Sequence, residues 1–273
     1  MKTIVVATDF STPAERAMLY AGQLANNISA SVLLLHVYQI PVGMNDMPVL
    51  VVSTDELKKN AEAGLERAKK LLQSNFVDLH IHTEARLGDV IDELEDVCAK
   101  IKPFAVVMGT KGATGMERVL FGSTTLTTIR HLSWPVIVVP PAKKYSTIKK
   151  IGFACDFREV VNTTPTHFIK DFVKEFNAEL HVLNVDHKSS HFKPDTPQDS
   201  ILLHTLLEDL NPKYDFIEDA NIEVGIEKFA EKHDLDLIIT IPKKHKLLEG
   251  LFRKSHTKDL IFHSHLPIMC VHE

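Results

Sequence analysis

The chain is short of cysteine, basic excess and long apolar runs, and each shortage removes a class of protein. Cys98, Cys155 and Cys270 are an odd set without CxxC spacing, so neither a disulfide scaffold nor a zinc ribbon is encoded. A reducing cytoplasm fits them. No apolar stretch reaches the ~18 residues that read as a membrane span, and Met1-Lys2 leads straight into a β-type run where a secretory signal would carry an apolar core. No membrane partner is expected. The formal charge of −5 lacks the basic footprint of a nucleic-acid binder, and Lys243-Lys244 read as solvated surface. The GxxxxGK[ST] phosphate loop is also missing.

What is present is globular. Hydrophobic residues make up 44% and charged residues 25% of 273, enough to build cores and stay dispersed, and the length suits two domains. The chain also repeats itself. Asp9-Phe10 recurs as Asp156-Phe157, the run Ser31 to Val37 as Glu179 to Val185, and Trp134 to Val139 as Leu266 to Val271. One long repeat points to duplication of a domain, since a solenoid would repeat every 20 to 50 residues or so. The boundary is expected at Pro140 to Ser146, because two prolines do not continue a central strand. The domains are then 1–142 and 147–273.

In the first copy the runs Ile4–Ala7, Val32–Val37, Ala105–Met108 and Val136–Val139 are short and uniformly apolar, as in strands buried on both faces. Leu79–Ala85 supplies a fifth strand. Between them Pro13–Asn27, Asp55–Gln73 and Asp89–Lys100 have helical spacing. Such alternation predicts an α/β class, doubly wound parallel sheet in each copy. Ligands then belong at the carboxyl ends of the strands, which directs attention to Thr8-Asp9, to Val37-Tyr38 and to Gly109 onward. Pro41–Val52 reads either as a cover over that end or as an ordinary long loop.

The segment from Val107 to Thr124 begins at a strand end and finishes at a helix start. Gly109, Gly112 and Gly122 permit close backbone approach and expose amide donors. Gly122-Ser123-Thr124 opens a helix through Ile129, whose free N–H groups and positive dipole end suit a phosphate. The alternative is that the glycines only form turns and that Asp9 only caps a helix.

The spacing Gly109-x-x-Gly112, then nine residues, then Gly122-Ser123 resembles the ATP-binding signature of the universal stress protein family. The opening Val-x-x-Asp-Phe-Ser, His36-Val37 and the closing Pro-Val-Ile-Val-Val strand belong to the same likeness, which covers nearly all of 1–142. The resemblance implies a Rossmann-like fold of the adenine nucleotide alpha hydrolase type. It implies ATP, with AMP or ADP as alternatives and Mg2+ as companion: Asp9 near the ribose, the Val37 backbone on the adenine, and Gly109, Gly112, Gly122, Ser123 and Thr124 around ribose and phosphates. Thr8, Met108 and Thr110 would line the same pocket. It also implies that Val136–Val139 and Ile268–Val271 pair in an intramolecular pseudo-dimer, with a homodimer of whole chains as a further level.

The second copy departs where it matters. Ile241 stands for Gly109 and Lys244 for Gly112, and the third glycine falls near Arg253 or Lys254, so this half is not expected to hold ATP. Its basic residues are read as a solvated loop rather than an anion site. Eleven of the fifteen histidines follow residue 142; His263 and His265 share a side only if the chain there is extended, and no metal site is expected. His36 and His131 are read as packing or surface residues, Cys270 as a small buried hydrophobe. No general base and no HxGH or SGGxD signature is present, so no catalytic residue is assigned. The sequence therefore reads as a sensory or regulatory nucleotide-binding protein acting on an unknown protein partner. A slow ATPase and a non-nucleotide interaction module are the competing readings.

Overall fold

The computed structural model describes all residues except 41–52, 111–122, 142–144, 146, 158–159, 187–195, 243–259, 262–263 and 273. The chain divides into two compact units, Met1–Trp134 and Pro135–Glu273. The first contains β1 (Thr3–Ala7), α1 (Thr12–Asn27), β2 (Ser31–Tyr38), α2 (Thr54–Asn75), β3 (Ile81–Leu87), α3 (Val90–Ile101), β4 (Ala105–Gly109) and α4 (Ser123–His131). Its strands lie in the order β3-β2-β1-β4, all parallel. Ile4, Val5 and Val6 in β1 and Val106 and Val107 in β4 are fully buried, which is why these runs read as uniformly apolar rather than alternating.

Local chemistry starts the helices where the strands stop. Ser11 caps α1 by accepting the Ala14 N–H, and Pro13 falls in its first turn, where a missing N–H costs nothing. Asp89 caps α3 by accepting the N–H groups of Ile91 and Asp92. Lys102 ends α3 in the left-handed conformation at φ 47°.

The second unit contains β5 (Val136–Val139), β6 (Lys150–Ala154), α5 (Val160–Thr163), α6 (Thr166–Phe176), β7 (Glu179–Asp186), α7 (Thr196–Leu207), β8 (Lys213–Glu218), α8 (Ile222–His233), β9 (Leu237–Thr240) and β10 (Ile268–Cys270). Strands run β5-β10-β9-β6-β7-β8. All neighbours are parallel except β5 and β10, where Val136–Val138 oppose Cys270–Ile268 antiparallel. That is the pairing expected of the two closing strands.

Both units reverse their strand order beside the first strand of the copy, at β1/β4 and at β6/β9. Crossovers leave such a point in opposite directions and open a crevice at the carboxyl ends of the strands.

Candidate functional site

The turn after β1 is fixed by side chains. Thr8 N–H donates to Leu35 O on β2 at 3.0 Å, and Thr8 Oγ1 accepts the Phe10 N–H at 3.1 Å. Asp9 Oδ1 accepts the Ser11 N–H at 3.0 Å. His36 Nδ1 lies 2.7 Å from Thr8 O; a carbonyl only accepts, so Nδ1 carries the proton. The chain leaves the turn through Phe10 at φ 61°, a conformation that costs a bulky residue roughly 1–2 kcal/mol and persists only where its surroundings hold it. The Phe10 ring lies on the His36 ring, centroids 4.3 Å apart.

At the end of β4, Met108 and Thr110 are buried. A Cβ on Gly109 would stand 2.5 Å from Pro13 O and 2.7 Å from its carbonyl carbon, so this glycine is required by the closeness of α1 to the strand end. Thr125 Oγ1 donates to Gly109 O at 3.2 Å and ties α4 to β4.

At the end of β2 and the starts of α3 and α4 a cleft of about 390 Å³ opens, lined by Val37, Gln39 and Thr124 together with Asp89, Val90, Ile91 and Thr127. Its volume falls within the range of small-ligand sites, about 300–1,000 Å³. The starts of both α3 and α4 contribute to its wall, so the positive dipole ends of two helices lie at this cleft, that of α3 already capped by Asp89.

Of the residues singled out in sequence, Val37 and Thr124 meet in this cleft. Thr8 is buried and Asp9 exposed at the neighbouring strand end; the cap of α1 is Ser11, and Asp9 accepts the amide of that cap. Ser123 opens α4. Gly112 and Gly122 lie outside the described residues, as do Pro41–Val52, Lys243, Lys244, Arg253, Lys254 and His263. Gln39, Asp89 and Thr127 were not singled out. Gly88-Asp89 after a strand and before a helix was the available signal, since that is where a cap and a ligand both belong.

A charge network joins β3 to α3. Arg86 on β3 pairs with Glu84 at 2.7 Å, Glu93 at 2.9 Å and Asp96. Hydrogen bonds to Glu93 and Asp96 push the guanidinium pKa further up. Asp96 is held below the usual carboxylate range by its bonds to Lys100 and Arg86.

The second unit repeats the turn with other atoms. Cys155 N–H donates to Leu183 O at 2.9 Å, Cys155 Sγ accepts the Phe157 N–H at 3.4 Å, and Asn184 Nδ2 donates to Cys155 O at 2.9 Å. Phe157 has φ 49°. It is buried, with Tyr214 and Phe216 centroids at 6.4 and 6.0 Å. Elsewhere in this unit His181 is clasped between Glu179 at 2.5 Å and Asp215 at 2.7 Å. Among the described residues no group of three or more His, Cys, Asp or Glu could hold a metal ion, and no helix is long and apolar enough to cross a membrane.

The sequence profile of the universal stress protein family matches residues 1–140 and again 147–272. A universal stress protein of Methanocaldococcus jannaschii is 32% identical over 145 residues, 52% of this chain and 84% of the relative. One from Synechocystis is 22% identical over 296 residues, covering 98% of this chain and 99% of its own length. Among solved structures, a universal stress protein from Archaeoglobus fulgidus aligns with a TM-score of 0.76 at 17% identity, covering 99% of this chain and 98% of that one.

Proposed function

Since the chain belongs to the universal stress protein family, in two tandem domains, we propose that the domain spanning residues 1–142 holds an adenine nucleotide in the cleft between β2, α3 and α4, and that the chain acts as a regulatory nucleotide-binding protein of the cytoplasm. The observation that carries this is the meeting of Val37 and Thr124 in one cleft, at the end of β2 and the start of α4. A backbone edge on one wall and a helix start on the other suit a ligand that is a flat base at one end and an anion at the other.

ATP, with Mg2+, is the proposed nucleotide. Val37 offers main-chain groups to the base, and Asp9 a carboxylate to ribose hydroxyls. Ser123, Thr124 and the amides of the glycine run would receive the phosphates, where the dipole of α4 favours negative charge. In the second unit Ile241 replaces the strand-end glycine, and we assign no nucleotide to it.

Equilibrium dialysis of ATP, ADP and AMP against the full chain and against Gly112→Val and Gly122→Val variants tests the reading. Retention by the unaltered chain and at least about tenfold weaker retention by folded variants supports it; equal retention by all three proteins removes the glycine run from the site. Gly109 is not a usable probe, because its variants break the packing against Pro13 before they test a ligand.

A further inference from the structure

We propose that His36 is a positioning residue of the nucleotide site, acting through the Thr8 carbonyl to lock the turn that presents Asp9. The proposal rests on the cleft reading above for its ligand, but its structural part stands on the turn alone. Asp9 is exposed and its own anchor is one local bond to the Ser11 amide. Its direction is therefore set by the residues on either side, Thr8 and Phe10.

Thr8 is held from both ends: its N–H by Leu35 O and its C=O by His36 Nδ1 at 2.7 Å. Phe10 must sit at φ 61° for the chain to turn into α1, and it is held there by the Thr8 hydroxyl, by the tilted His36 ring and by α2, where the Phe10 ring packs against Gly64. One side chain on β2 thus supplies both the donor for one neighbour of Asp9 and part of the platform for the other.

The duplicated half separates these two contributions. There the same turn recurs, with positive φ at Phe157, and its carbonyl receives the amide of Asn184 in place of an imidazole. Asparagine supplies the donor and no platform. The platform there comes from the core, since Phe157 is buried with Tyr214 and Phe216. In the first unit Phe10 remains 37% exposed, so its turn depends more on the hydrogen bonds. The donor is the common element of both copies, and the donor is what His36 is assigned.

The molecule therefore names its own conservative replacement. His36→Asn keeps a donor and loses the ring, whereas His36→Phe keeps a ring and loses the donor. Two readouts are taken on each full-length protein: ATP affinity, and hydrogen exchange of the Phe10 amide, which needs no ligand. The expected result is that His36→Asn stays within about threefold of the unaltered chain in affinity and keeps Phe10 protected, while His36→Phe leaves the Thr8 carbonyl unmatched, weakens ATP at least about tenfold and exposes the amide. A His36→Phe protein with unaltered affinity and unaltered protection would overturn the proposal, as would equal losses in both variants, which would mark the residue as packing only. If the unaltered chain binds no nucleotide, the cleft reading fails, and the Phe10 exchange alone still decides whether His36 locks the turn.

Discussion

The sequence marks Gly109 as a place of close backbone approach, and α1 comes close to this glycine. Its missing Cβ leaves room for the Pro13 carbonyl at 2.5 Å, a backbone atom that cannot rotate aside. Gly109→Ala should therefore lower the urea midpoint, by about 1–3 kcal/mol in stability, in the absence of any nucleotide. Spacing alone could not distinguish these roles, because a strand-end glycine serves ligand and helix packing alike. Tyr214 gives the opposite case. Its hydroxyl is buried with no hydrogen-bond partner among the described residues, and burial pushes its pKa up to about 12. Tyr214→Phe should leave the denaturation midpoint unchanged or raise stability by up to about 1 kcal/mol, since it removes a polar group that gains nothing from burial. A marked loss would mean that the hydroxyl has a partner after all. His36 was read as packing or surface, and no sequence pattern links it to Thr8; the bond exists because β1 and β2 lie in register, with Ala7 opposite Leu35.

Secondary elements were more legible than contacts because their signals are local. The buried β-branched runs of β1, β4 and β5 fell within a residue or two of their observed ends. So did α1 and α3, whose caps Ser11 and Asp89 stand beside the turns. The strand read at Leu79–Ala85 runs from Ile81 to Leu87, displaced because an edge strand with exposed His82 and Thr83 gives a weaker apolar signal. Ion pairs between elements were not legible at all. Asp209, in the 3-10 turn Glu208–Leu210, accepts from Lys170 at 2.8 Å and Lys174 at 2.5 Å, both on α6. These bonds hold its pKa at about 2, below the ordinary 3.8. A depressed carboxylate contributes its stability in full above the unfolded value and loses it as pH falls through the folded one. The contribution of this pair is therefore present at neutral pH and lost between about pH 4 and pH 2. Asp209→Asn should flatten that part of the stability-against-pH curve and leave its shape above pH 5 unchanged. An identical acid limb in both proteins would show that the bonds carry no net stability, as exposed pairs often do.

At the scale of the whole molecule, duplication copied a fold and a turn and then let the two copies diverge. Both keep a parallel sheet with a strand-order reversal. Both keep an aspartate before a phenylalanine of positive φ, and both tie the strand-end carbonyl with a donor from the next strand. This much persists because it builds the strand-to-helix connection. The glycine run has no counterpart in the second copy, where Ile241 and Lys244 stand in its alignment, and that difference was legible in the sequence because a lost glycine is visible without coordinates. Whether the difference is functional is settled by counting. Calorimetric titration of ATP with magnesium into the full chain should give one nucleotide per chain, and the heat should vanish in a folded Gly112→Val/Gly122→Val double variant. Two nucleotides per chain, or none, would contradict the assignment of a single site to the first copy.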